Sequence, residues 1–172
     1  ETVDAANLHR RDYNMVPQIF PNGANGFTVF SGVFQPTIDL PWHNSVDITA
    51  TGYTVNNTFD QMLSQYHSAT LPIYDGADNQ MSTLFFGGMS RYHYDSQTNL
   101  LVDDEEVPFV KTISLVERAS NGSMTETSLE LEMPAFLGSG AEFMPSQNAP
   151  FLPSGILDLN GLTQGQATLV GY

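Results

Sequence analysis

"STLFFGGMSRYHYDSQTNLLV", residues 82–102, decides the fold. Leu84-Phe85-Phe86 runs directly into Gly87-Gly88, an aromatic alternation then ends in Tyr94-Asp95, and a polar turn with Thr98-Asn99 follows. A short apolar and aromatic run closed by glycines is a strand signal. The device recurs. "FTVFSGVF" (27–34) ends its own strand pattern in Ser31-Gly32, at an offset of 56 residues from Gly87-Gly88. "ATLVGY" (167–172) echoes "STLFFG" (82–87), and "HSATLPIYDG" is matched by "GSGAEFMPSQ", with Leu71-Pro72 against Met144-Pro145. A unit of several tens of residues whose strand ends in small residues predicts a repeated β architecture of propeller type.

The remaining chain agrees on class. "GFTVFSGVF" (26–34), "HNSVDITATGYTV" (43–55) and "VKTISLVERA" (110–119) are rich in Val, Ile, Thr and aromatics. In "SMTETSLELEM" (123–133), Leu129, Leu131 and Met133 alternate with Glu130 and Glu132. Asn121-Gly122 between these last two segments predicts a hairpin over 110–133 with a type I′ turn, which needs positive φ at both central residues. "TFDQMLSQY" (58–66) is the helix candidate: Phe59, Met62, Leu63 and Tyr66 have helical spacing, and Thr58 and Gln61 are placed as a capping box. Prolines sit at segment edges, as in "FQPTIDLPW" and "APFLPSG", where a missing N–H costs no ladder bond.

Gly87-Gly88 after "LFF", Tyr94-Asp95 and the turn at Thr98-Asn99 together resemble the kelch repeat, a propeller blade pattern of an apolar strand ending in two glycines and an aromatic strand ending in Tyr-Asp. The resemblance implies that the glycines lie where strands approach closely and that Tyr-Asp ends the third strand of a blade. Leu100 stands where kelch blades usually carry tryptophan, and the chain has one complete glycine pair. "LPIYDGADNQMSTLFFGG" and "VPFVKTISLVER" look like a family of secreted bacterial kelch-type propellers of uncharacterised role, many of them cargo of type IX secretion. That resemblance brings no catalytic motif.

Composition bounds the function. The 172 residues carry 5 Lys+Arg against 19 Asp+Glu, a formal charge of −14, and such a surface repels phosphate backbones and anionic membranes. Nucleic acid is therefore not an expected partner, and no apolar run reaches the length of a membrane span. With no cysteine, disulfide frameworks, thiolate catalysis and Cys-based zinc sites are excluded. So is the galactose-oxidase type of kelch enzyme, which needs a cysteine cross-linked to tyrosine. The low charged fraction of 14%, with polarity carried by Ser, Thr, Asn and Gln, suits an extracellular β protein.

The candidate binding residues are aromatics with basic or imidazole neighbours: Trp42-His43, Tyr66-His67 and Arg91-Tyr92-His93. Aromatic faces stack on sugars and anchor protein interfaces. The histidines show no HxH or HExxH spacing, so they read as strand-end polar residues and no metal or cofactor is expected. "DGADNQ" (75–80) lacks the spacing and closing Glu of a calcium loop, and Asp103-Asp104-Glu105-Glu106 reads as a solvated turn. There is no GxSxG and no phosphate-cradling glycine loop.

The expected architecture is all-β with antiparallel sheets. It is a partial propeller of kelch-like blades over 1–172, with approximate units 20–65, 66–137 and 138–172. Two or three blades are too few to close a ring. The chain is therefore expected to be covered by the remainder of a longer protein, or by further copies in an assembly. The expected function is an extracellular or cell-surface binding module that contacts protein or glycan. The alternative is a carbohydrate-active enzyme, a kelch-type sugar mutarotase or lyase, in which Arg91 or Arg118 would hold a substrate carboxylate.

Overall fold

The computed structural model describes residues 2–95, 97–136, 140–144, 146, 148–162 and 170–171. Two antiparallel meanders dominate. The first sheet runs in chain order through β1 (Asn14–Ile19), β2 (Asn25–Phe30), β3 (Ser45–Thr49) and β4 (Gly52–Asn56). The second repeats the pattern with β5 (Ala69–Asp75), β6 (Gln80–Phe86), β9 (Thr112–Arg118) and β10 (Met124–Glu132). Between β6 and β9 a separate hairpin projects, β7 (Tyr92–Tyr94) with β8 (Leu101–Asp103). β12 (Leu157–Asp158) adds to the free side of β5 in parallel, and β11 (Phe143–Met144) pairs with β13 (Val170–Gly171). The all-β, antiparallel expectation holds for both meanders. The "ATLVGY" echo lies outside the described residues except for Val170-Gly171.

The two glycine-ended strands, β2 and β6, are second in their meanders and in matching register. Pro17 opposes Phe27 in the first sheet, as Pro72 opposes Thr83 in the second. After each strand the backbone makes the same left-handed step, with φ of 51° and 92° at Ser31 and Gly32 and 64° and 85° at Gly87 and Gly88. That is why small residues recur there. At Gly88 a Cβ would also lie 2.5 Å from the carbonyl oxygen of Tyr66. We expect Gly88→Ala to destabilise by about 2–3 kcal/mol, from positive φ plus the backbone clash. Gly23→Ala, with φ +78 and nothing within 4 Å, should lose only about 1 kcal/mol. Urea unfolding of the two variants measures the contrast.

The sheets stack face to face. Val16 and Phe30 of the first meet Phe85 and Val116 of the second, with Phe59 and Met124 completing the cluster. Phe30 and Phe85 meet edge-on at 5.3 Å between ring centroids, the arrangement that ring quadrupoles favour. Towards the other end the interface turns polar: the Arg118 guanidinium donates to both oxygens of Asp47 at 2.6 and 2.9 Å, and to Thr28 Oγ1 at 3.2 Å. Gln18 donates to Thr83 Oγ1 at 3.2 Å.

The second sheet's opposite face carries Ala69, Leu71, Phe86, Ile113 and Leu157, with Met133 just beyond β10, and Ala141, Ala149, Phe151 and Leu162 pack against it. The second sheet is therefore the middle layer. The first sheet's opposite face, built by register from Met15, Pro17, Phe27, Val29, Val46, Ile48 and Tyr53, is covered only in part by the described residues, with the Tyr53 hydroxyl donating to Asp4 of the N-terminal segment at 3.0 Å. Val29 and Val46 are buried, but Met15 and Phe27 are 52% and 43% exposed. By register this open face is the counterpart of the second sheet's Pro72–Thr83 face, the one that receives the first sheet.

Four sequence expectations are corrected. Residues 58–66 form no helix. The segment crosses the end of the stacked sheets with Phe59, Gln61, Leu63, Ser64, Gln65 and Tyr66 all buried. Gln65 Nε2 donates to the carbonyls of Gly87 and Thr112, at 2.6 and 2.9 Å, so tertiary hydrogen bonds override the helical periodicity. The 110–133 hairpin forms, but with positive φ at Gly122 and not at Asn121. Gly122 N–H donates to Ala119 O and Ala119 N–H to Ser123 O, a type I turn followed by a left-handed glycine. β10 shifts register between Ser128 and Glu132, which breaks the Leu–Glu alternation and leaves Leu131 70% exposed while Met133 is buried. Tyr94-Asp95 does not end the third strand of the sheet. It ends β7 in the projecting hairpin, and β9 takes the third position.

Candidate functional site

Antiparallel order sends three long connections to one end of both sheets. Residues 31–44, 57–68 and 87–111 all lie there, while the other end has the short turns 20–24, 50–51, 76–79 and 119–123. The far-end turns are self-satisfied; in 75–80, for instance, Asp75 Oδ1 accepts from the N–H groups of Ala77 and Asp78. All seven residues singled out from the sequence belong to the long-loop end or to the hairpin that rises from it. Loops held by a rigid scaffold are where recognition concentrates.

The loops are tied to each other through the chain's interior. Ser31 Oγ donates to Ser64 O and Ser90 Oγ to Leu63 O. Asn14 Nδ2 donates to Gln65 O at 2.9 Å, and Tyr66 and Met89 exchange backbone hydrogen bonds at 3.0 and 2.8 Å.

Trp42 is not a free aromatic face. It is buried, and the Arg10 guanidinium sits 4.4 Å over its ring. Arg10 is the residue that sequence reading missed here. It is buried and donates to the carbonyls of Asn7, Ser31 and Asn44 and to Asn44 Oδ1, at 2.7–3.1 Å. Burial lowers its pKa to about 10, which leaves it charged at neutral pH. The adjacent Arg10-Arg11 pair in so acidic a chain was the available signal. Tyr66 is likewise buried, and burial together with the Asp12 charge raises its pKa.

The partly buried group that reaches solvent is elsewhere. His43 Nδ1 lies 3.2 Å from Asp60 Oδ1, and the His43 ring is 5.9 Å from Tyr92. Arg91 stands 5.5 Å from the Tyr92 ring and holds Asp103 through both carboxylate oxygens, at 2.6 and 3.1 Å. That paired hydrogen bond raises the Arg91 pKa and lowers that of Asp103. His43, Tyr92 and Arg91 therefore come together from two loops, with Asp60 and Asp103 as carboxylate rim. His67 stands apart, its Nε2 3.3 Å from Asp12 Oδ1. His93 belongs to β7 and its Nδ1 is buried without a partner.

The three histidines thus do not converge, and the described residues contain no group of three or more His, Asp or Glu arranged to hold a metal ion. Arg91 and Arg118, the arginines a carbohydrate-active enzyme would use for a substrate carboxylate, are each engaged by an aspartate of the chain itself.

A perturbed carboxyl lies beside this end. Burial pushes Glu126 up to about 7; the N–H groups of Leu63 and Met62 oppose that and the charge of Asp60 adds to it. Leu63 N–H donates to Glu126 Oε2 at 2.9 Å, while Oε1 is buried without a partner. Because its unfolded value is 4.5, the native chain holds a proton between these two values that the unfolded chain has lost. Glu126 therefore stabilises the fold at low pH, and that contribution falls as pH rises through this window, by roughly 3 kcal/mol at most. Urea unfolding at pH 4.5 and pH 8 should show a pH dependence that Glu126→Gln diminishes by this amount.

No protein-family model, curated protein or solved structure matches the chain. Among the described residues, no helix is long and apolar enough to cross a membrane.

Proposed function

We propose that the chain is part of an extracellular or cell-surface binding module built of kelch-like propeller blades, and that it contacts glycan or protein through its long-loop end. The observation that carries this is the gathering of three long connections at one end, with the partly buried His43–Tyr92–Arg91 group among them. The matching registers of the two meanders, and the left-handed step after β2 and β6, support reading them as successive blades. The open Met15–Phe27 face of the first sheet is the counterpart of a face that already receives a sheet. On this reading it takes a further blade, from the remainder of the chain's own protein or from another copy.

The binding test is a glycan array read with the native chain, with Tyr92→Ala and with His43→Ala. Loss of signal in both variants, with unchanged melting, supports the loop-end site. Retained binding in both places recognition elsewhere. Trp42→Ala is the wrong probe, because it removes the Arg10 stacking partner and so perturbs packing.

A further inference from the structure

β10 is the outermost strand of its sheet among the described residues: β9 lies on one side and no described strand on the other. Its ladder with β9 is regular from Met124 to Ser128. Ala119 N–H donates to Ser123 O at the start of that ladder. Alternation along an antiparallel pair then turns the N–H and C=O of Thr125 and Thr127 towards β9, and those of Met124, Glu126 and Ser128 outward. A row of outward backbone donors and acceptors is a template for another extended chain.

This edge does not face open solvent. It forms one wall of a groove of about 890 Å³ whose other wall is Tyr94, Asp95 and Asn99 from the β7–β8 hairpin. Asp95, Glu130 and Glu132 give it an acidic lining, Glu126 adds a carboxyl whose pKa burial raises to about 7, and neither lysine nor arginine lines it among the described residues. Asp95 is held ionised by hydrogen bonds from the side chain and N–H of Thr98, which lower its pKa.

We infer that this groove is a second binding site, distinct from the loop-end group, and that it takes an extended basic peptide segment by strand addition to β10. The occupant follows from the charge. A second copy pairing β10 with β10 would set glutamates against glutamates, which is destabilising. A strand carrying Lys or Arg at alternate positions would complement the lining and complete the ladder, while Tyr94, 39% exposed, offers an aromatic wall for its aliphatic stems. The register shift beyond Ser128 limits regular pairing to the upstream half of the strand. This inference does not depend on the propeller reading.

The test uses two synthetic hexapeptides, one alternating Lys with Val and one alternating Glu with Val, titrated into the whole chain and followed by calorimetry and backbone NMR. The lysine peptide should bind, weaken with added salt, and slow amide exchange at Glu126 and Ser128. Ser128→Pro removes one outward donor without touching the ladder to β9 and should weaken binding by about tenfold or more. The exposed double reversal Glu130→Lys with Glu132→Lys should reduce affinity for the lysine peptide even if the proline variant folds poorly. Absence of binding, equal binding of both peptides, or protection confined to residues away from β10 would each overturn the inference.

Discussion

Arg118→Ala is expected to lower the unfolding free energy by about 3–5 kcal/mol, because it leaves a buried carboxylate without its counter-charge. The side chains of Arg118 and Asp47 are only 6% and 16% exposed, and they join strands of different sheets, β9 and β3. The guanidinium also satisfies Thr28 Oγ1 and lies 5.2 Å from the Phe20 ring. Removing the pair together should recover most of the loss, since an apolar pair of similar volume is often as stable as a buried ion pair. Urea unfolding of Arg118→Met, Asp47→Leu and their combination measures this. Large single losses and a small combined loss are expected, whereas additive losses would mean that the two side chains do not interact across the sheets.

The second large effect is apolar. Phe85→Ala should lose about 3–5 kcal/mol, since it removes a ring that is 0% exposed from the centre of the sheet-to-sheet cluster and leaves a cavity between Phe30, Val16 and Val116. Phe27→Ser on the first sheet's open face should stay within about 0.5 kcal/mol in an isolated chain, because Phe27 is 43% exposed there. The two phenylalanines lie in strands second in their meanders, so the contrast separates a closed sheet interface from an open one.

Much of this was legible in the sequence. The glycine and small-residue pairs marked the ends of β2 and β6, because a left-handed step restricts residue type so strongly. Asn121-Gly122 located the β9–β10 hairpin, although Asn121 keeps negative φ and the turn type differs. What escaped reading depends on contacts distant in sequence. The 58–66 segment carries helical spacing, yet Gln65 answers carbonyls of Gly87 and Thr112 that periodicity does not reveal. Aromatic neighbours of histidine located the loop-end group, but not which of them reach solvent: Trp42 and Tyr66 are buried, while His43 and Tyr92 meet in a partly buried group. β1, β5 and the projecting hairpin strands carried weaker signals, since Pro17 and Pro72 interrupt the first two and Tyr92–Tyr94 matched a blade strand. Arg118 and Asp47 are 71 positions apart, and nothing local links them.

The proposal that the two meanders are successive blades, with the Met15–Phe27 face taking one more, is tested most directly by sedimentation equilibrium of residues 1–172 over a wide concentration range. Self-association that rises with concentration and disappears in a Met15→Glu, Phe27→Lys double variant is the expected result. A mass of 18.9 kDa at every concentration, with a cooperative and concentration-independent thermal transition, would contradict it and favour a self-contained β-sandwich.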